Sequence, residues 1–185
     1  MWYAATAVAD DPDALVVPLA TAKTRLRIDT SDDDALLTDL LREAGAHAAR
    51  YCNIRLLPQE LVAHCDSFAD MVRLPDGPVF AGAVQSIAYV DGAGVDQVLD
   101  PASYELRIDG LEAAILPRPG GAWPVARHGD LITLTIKAGY GDGIPFEIQA
   151  AILVRVATAY AGGENVEAGK WTEFDTLLVN FKRGA

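Results

Sequence analysis

Apolar positions in the first third of the chain recur with the 3.6-residue period of a helix, and those of the middle third follow the shorter rhythm of strands. Pro18 suits a first helical turn, and Leu19, Ala22, Lys23, Leu26 and Arg27 continue a short helix that Ile28 and Asp29 close. A second helix starts at Thr30 or Ser31, either of which can cap free amides. Asp32, Asp33 and Asp34 then place negative charge at the positive end of its macrodipole. Leu37, Leu40, Leu41, Ala44, Ala48 and Tyr51 form its buried stripe, and Asn53 supplies a C-cap.

From Leu61 to Lys137 the runs are short and β-prone: Leu61 to Phe68, Val84 to Val90, Val95 to Leu99, Tyr104 to Ile108 and Leu131 to Lys137. Gly92, Ala93 and Gly94 make a hairpin tip between the second and third, and Asp100-Pro101 turns the chain again. The pattern predicts an antiparallel sheet, with the threonines of ITLTIK available for a wet face. Trp123-Pro124 reads as a packing anchor in a loop.

After the last strand, AGYGDGIP leads into a nearly all-apolar helix through Ile148, Ala151, Ile152, Leu153, Val154, Val156, Ala157 and Tyr160, ended by Gly162 and Gly163. Such a helix needs burial on most sides, against the first two helices or between subunits. The last stretch is too aromatic for a linker. Phe174, Leu177, Leu178 and Phe181 share a helical face, followed by Lys182 and Arg183 and preceded by Trp171. That face either folds back on its own domain or docks into another protein.

The fold class that follows is α+β: a small helical core of two N-terminal helices and a long apolar C-terminal helix, with an antiparallel β-rich insertion between them. The expected organisation is an N-terminal arm (1–17), a helical core (18–57 with 145–162), the β-rich insertion (58–144) and a C-terminal tail (163–185).

Composition narrows the function. At 185 residues and 51% hydrophobic the chain can bury a proper core. A formal charge of −11 argues against gripping nucleic acid, because non-specific DNA affinity comes from lysine and arginine displacing counterions. The same repulsion suits a conduit through which DNA slides without sticking. No apolar run reaches the ~20 residues that span a bilayer, and the N-terminus lacks signal-peptide order, which predicts a chain made in the cytoplasm and no membrane partner. Cys52 and Cys65 sit in no CxxC and read as buried or semi-buried thiols.

Candidate chemistry is thin. Asp32, Asp33 and Asp34 lack the alternating ligands, glycine turn and distal glutamate of a calcium loop. Gly139, Gly141 and Gly143 miss the GxGxxG spacing, because Ile144 stands where the third glycine belongs and Pro145 follows. His47, His64 and His128 have no GxSxG, HExxH or P-loop beside them. Asp109, Glu112 and Asp130 could pair only through the fold. No catalytic, cofactor-binding or metal site is assigned and no cofactor is expected.

Taken in order, the motifs resemble a family. KTRLRIDTSDDDALLTDLLREAGAHAARYCNIRLL, with Lys23, Leu26, Arg27, Asp34 and Leu37, is similar to the start of tailed-phage head-to-tail connector (adaptor) proteins of the phage HK97 type. Leu74 to Gly94, Asp100 to Leu106, Leu116 to Pro124 and Ile132 to Tyr160 resemble the longer branch, found in phiE125-type proteins and gene transfer agent adaptors. Each piece is a packing or turn signature, so the specificity lies in their order from Pro18 to Tyr160. Met1 to Val17 has no counterpart in that pattern, and Leu177 to Arg183 matches the family tail only loosely.

The resemblance implies a non-enzymatic component of a phage or gene transfer agent particle, assembled in the bacterial cytoplasm. It would form a twelvefold head-to-tail ring between the portal and the stopper or tail, starting from a monomer before docking, and DNA would pass through without specific binding. Trp171, Phe174, Leu177, Leu178, Phe181, Lys182 and Arg183 are the candidate residues for engaging the portal or an adjacent subunit. The alternatives are a carboxylate-based hydrolase, which needs convergent acids in a deep pocket, and a DNA-packaging factor similar to a small terminase subunit, which needs a basic recognition face. Arg25, Arg27, Arg42 and Arg50 are too interleaved with acids to make such a face.

Overall fold

Strand β2 (Gln59–Cys65) and strand β7 (Ile132–Ala138) carry the clearest alternation in the chain, and they lie side by side. Leu61 faces Ile136, Ala63 faces Leu134 and Cys65 faces Ile132, so all the buried side chains of both strands point to one face. The computed structural model describes residues 1–8, 14–162 and 172–184. The chain forms two compact units, Met1–Asp10 with Leu57–Gly141 and Asp11–Leu56 with Asp142–Ala185.

In the first unit, β3 (Val79–Val90) pairs antiparallel with β7, and β4 (Asp96–Val98) pairs antiparallel with β3. The register of β3 shifts between Val79 and Val84 and again before Ser86, with Gly82 at φ 78°. The Gln85 side-chain amide covers this bulge by donating to the Ala83 carbonyl at 3.2 Å. The β3–β4 tip is the VDGAGV turn, in which the Asp91 carboxylate accepts from the amides of Ala93 (2.9 Å) and Val95 (3.0 Å).

Two strands were not expected. Thr6–Ala7 forms β1, antiparallel to β2 at its free edge, and the Trp2 indole donates to the carbonyls of Asp70 (2.9 Å) and Arg73 (2.8 Å). Residues 1–8 therefore complete the five-stranded order β1-β2-β7-β3-β4. Glu112–Pro117 is β6, which pairs with β5 (Tyr104–Asp109) in a separate two-stranded sheet. Its EAA start has poor intrinsic strand preference, and hairpin pairing through the Gly110 turn overrides it. The core between the sheets holds Ile87, Ile115, Leu134 and Met71, all fully buried.

The second unit is helical: α1 (Leu19–Leu26), α2 (Asp34–Cys52), α3 (Phe146–Tyr160) and α4 (Glu173–Leu178). Leu37, Leu41, Ala44, Ala48 and Cys52 of α2 are buried, and Asn53 closes the helix in the left-handed region at φ 54°. The expected cap at Thr30 or Ser31 is displaced: α2 begins later, with Asp33 at the N-cap and no side-chain cap bond. The acidic residues serve tertiary ties instead. Asp34 accepts from the Lys23 ammonium, and Asp33 accepts from the Tyr160 hydroxyl, which joins the start of α2 to α1 and to the end of α3. The apolar α3 buries Ile148, Ala151, Ile152 and Val156. It is followed by α4, so the last helix is a short, capped one rather than the long apolar one.

Candidate partner-binding segment

The C-terminal segment starts with a capping box that the sequence spells as Thr172-x-x-Asp175. The Thr172 hydroxyl accepts from the Asp175 amide at 3.3 Å, while the Asp175 carboxylate accepts from the Thr172 amide (2.9 Å) and hydroxyl (2.6 Å). The Thr172 hydroxyl holds the Asp175 carboxyl below the usual carboxylate range, and a hydrogen bond from Tyr51 helps it. Helix α4 runs for six residues and passes into a 3-10 turn, Val179–Phe181.

Phe174, 7% exposed, anchors this segment. Its ring lies 5.1 Å from the His47 ring and 5.7 Å from the Tyr51 ring, with the Arg155 guanidinium 5.8 Å from its centroid. His47 and Tyr51 are one turn apart on α2, a spacing that puts both on the same face. Arg155 reaches over from α3 and is held by Glu43 at 2.8 Å. Leu178 is fully buried, Leu177 and Phe181 are half-buried, and Val179 is 45% exposed. Lys182 is exposed, with its ammonium 3.8 Å from the Tyr51 ring centroid. The Arg183 amide donates to the Cys52 carbonyl at 2.8 Å and so satisfies a carbonyl at the end of α2.

Of the seven residues singled out by sequence, the structure therefore gathers Phe174, Leu178, Lys182 and Arg183 on α2, with Leu177 and Phe181 partly covered beside them. Trp171 lies outside the described residues. Sequence reasoning missed the receiving side, His47, Tyr51 and Arg155. The usable signals were the capping box and the four-residue spacing of the two α2 rings.

Burial is the main cause that lowers the His47 pKa, with Arg155 and Arg50 adding to it and Glu43 and Asp175 opposing it. Burial also pushes the Cys52 thiol up to about 11, and it does the same to Cys65. Both cysteines are free.

The other candidates have structural partners. A side chain at Gly141 would strike the Phe80 ring at 2.9 Å, so this glycine serves a close packing contact and not a phosphate cradle. His64 bonds the Thr133 hydroxyl at 3.1 Å, while His128 is exposed. Asp109 sits opposite Glu112 in the β5–β6 register beside an open groove of about 170 Å³, also lined by Val72 and Arg107. Glu112 is ion-paired with Arg73 at 2.9 Å, and Asp130 with Arg127 at 3.6 Å. Trp123 stacks on Phe68 as an anchor, as its sequence context suggests. Among the described residues, no group of three or more His, Cys, Asp or Glu is placed to hold a metal, and no helix is long and apolar enough to cross a membrane.

Comparison with known proteins bears out the connector resemblance. Residues 17–89 match the family model described as phage gp6-like head-tail connector protein. A comparison with curated proteins found no match. Among solved structures, a chain from the neck of an empty gene transfer agent particle computed with C6 symmetry is 21% identical. It has a TM-score of 0.76 over 99% of this chain and 97% of that one. A chain from the virion of a native gene transfer agent particle gives 21% identity and a TM-score of 0.75, covering 98% and 96%. One from the neck of a native particle computed with C12 symmetry gives 20% and 0.72, covering 99% and 97%. The chain shares their fold over nearly its whole length.

Proposed function

We propose that this chain is a structural head-to-tail connector, a non-enzymatic subunit of a ring that joins the portal to the stopper or tail of a phage or gene transfer agent particle. The carrying observation is that a head-tail connector family match over residues 17–89 coincides with a shared fold along nearly the entire length of neck chains. The C12 symmetry of the native neck supports a ring of twelve copies, and the C6 symmetry of the empty one is a subgroup of it. A ring of like subunits needs a head-to-tail interface, in which one face of a copy meets a different face of the next. The charge of −11 per copy would keep DNA sliding through the lumen without adhesion.

In this reading the helical unit is the ring body and the β-rich unit its lateral elaboration. The C-terminal segment engages the portal or an adjacent subunit, starting from the accessible Val179 and Lys182. Phe174 and Leu178 would have to leave α2 to take part directly. The particle assembles in the bacterial cytoplasm, and the subunit waits as a monomer until it docks.

The test is to mix the purified chain with the portal protein of the same particle and image the product by electron microscopy. A ring of this chain at the narrow end of the portal is the expected result. A chain that stays monomeric and leaves the portal bare overturns the reading. Truncation after Gly169 tests the segment separately: normal loading by the truncated chain removes its docking role.

A further inference from the structure

The contact between His47 and Phe174 does something that packing alone does not require. An imidazole is placed where the C-terminal segment closes on α2, and imidazole is the side chain that changes charge nearest neutral pH. We propose that His47 is a proton-operated catch: neutral, it holds the segment closed on α2, and protonated, it loosens the segment.

The geometry decides the sign. The His47 ring is half-buried, 5.1 Å from Phe174 and nearly parallel to Tyr51, with 15° between planes at 6.4 Å. The charged groups around it are Arg155 from α3, Arg50 and Glu43 from its own helix, and Asp175 from α4. Both acids have other engagements. Glu43 holds Arg155, while Asp175 is held by Thr172 and Tyr51. A proton on His47 therefore adds a partly desolvated cation near two arginines. The Phe174 ring offers limited compensation, because the Arg155 guanidinium already lies over it.

Of the elements that surround this cation, α4 is the cheapest to displace. It is six residues long, and its capping box is internal to the segment, so the box survives release. Leu178, Lys182 on Tyr51 and the Arg183 amide on Cys52 lie beyond Phe174, so the proton loosens the segment from its Phe174 end. Linkage gives the pH window. In the released state His47 titrates near its ordinary value of ~6.5, and closure lowers it. Closure is fully stable above that ordinary value and loses stability as pH falls from there to the closed-state value. Asp175 stays ionised through this window, because its carboxyl is held below the usual carboxylate range. The Cys52 thiol stays protonated.

The test is hydrogen exchange of the full chain, followed at residues 173–181 at about pH 7.5 and about pH 5 and corrected for intrinsic exchange, beside His47→Phe. The wild type is expected to lose protection several-fold at the lower pH in this segment but not in α2, and His47→Phe, which keeps a ring in place, to stay flat. Unchanged wild-type protection, or an equal drop in His47→Phe, overturns the proposal. If that variant misfolds, Phe174→Ala in the full chain decides by NMR titration. The His47 pKa should rise toward its ordinary value when the segment opens, and an unmoved pKa refutes the catch. None of these outcomes depends on whether the ring forms.

Discussion

A side chain at Gly139 would place its Cβ 2.3 Å from the carbonyl oxygen of Leu57. The backbone of Gly139 also sits at φ 121°, and its amide donates to the Pro78 carbonyl at 2.8 Å. The end of β7 thus passes against the segment that leads into β2, and only glycine fits. Gly139→Ala should destabilise the fold by about 3 kcal/mol or more, since backbone and not a flexible side chain must yield. Gly92→Ala, which meets nothing within 4 Å, is the control and should be near neutral. Urea unfolding of the two variants checks both.

This turn also marks how far sequence reasoning reached. The glycine spacing ruled out a dinucleotide loop, yet it could not name Leu57, whose carbonyl arrives from far along the chain. Helix α2 was legible because its apolar stripe and Asn53 are local signals. Strand β1 was not, because two residues pairing with the edge of β2 leave no periodic trace. The four-residue face in the tail was readable, but what receives it was not. His47, Tyr51 and Arg155 belong to two other helices, and only packing brings them together around Phe174.

Trp123 should behave as a core residue although it stands in a loop. Its ring stacks on Phe68 at 4.9 Å with 10° between planes, and Phe68 in turn meets Tyr89 edge-on at 5.4 Å. Trp123→Ala should lower stability by about 3 kcal/mol and Trp123→Phe by much less. Thermal unfolding of the two variants separates loss of the stack from loss of volume.

The two cysteines should be silent toward thiol reagents in the native protein at neutral pH. Burial raises both thiols from an ordinary 9.0 to about 11, so the reactive thiolate is scarce. A raised folded-state value also means that stability is complete below pH 9.0 and declines as pH rises from there toward about 11. Labelling that becomes rapid only on unfolding would agree. Fast labelling of either cysteine at pH 7 in the native state would not.

The tail contacts should rank by what each removes. Thr172→Ala takes away the capping hydroxyl and should cost about 1 kcal/mol, felt only when the segment frays. It should also let the Asp175 carboxyl rise toward its ordinary value, because the Thr172 hydroxyl is the main cause of its depression. Phe174→Ala strips the buried ring from between His47, Tyr51 and Arg155 and should open the segment, since Leu178, Lys182 and the Arg183 amide would have to hold it without that ring. Limited proteolysis after residue 172 distinguishes the two: little change for Thr172→Ala and rapid cleavage for Phe174→Ala. Equal resistance in both would mean that Leu178, fully buried beside them, carries the closure by itself.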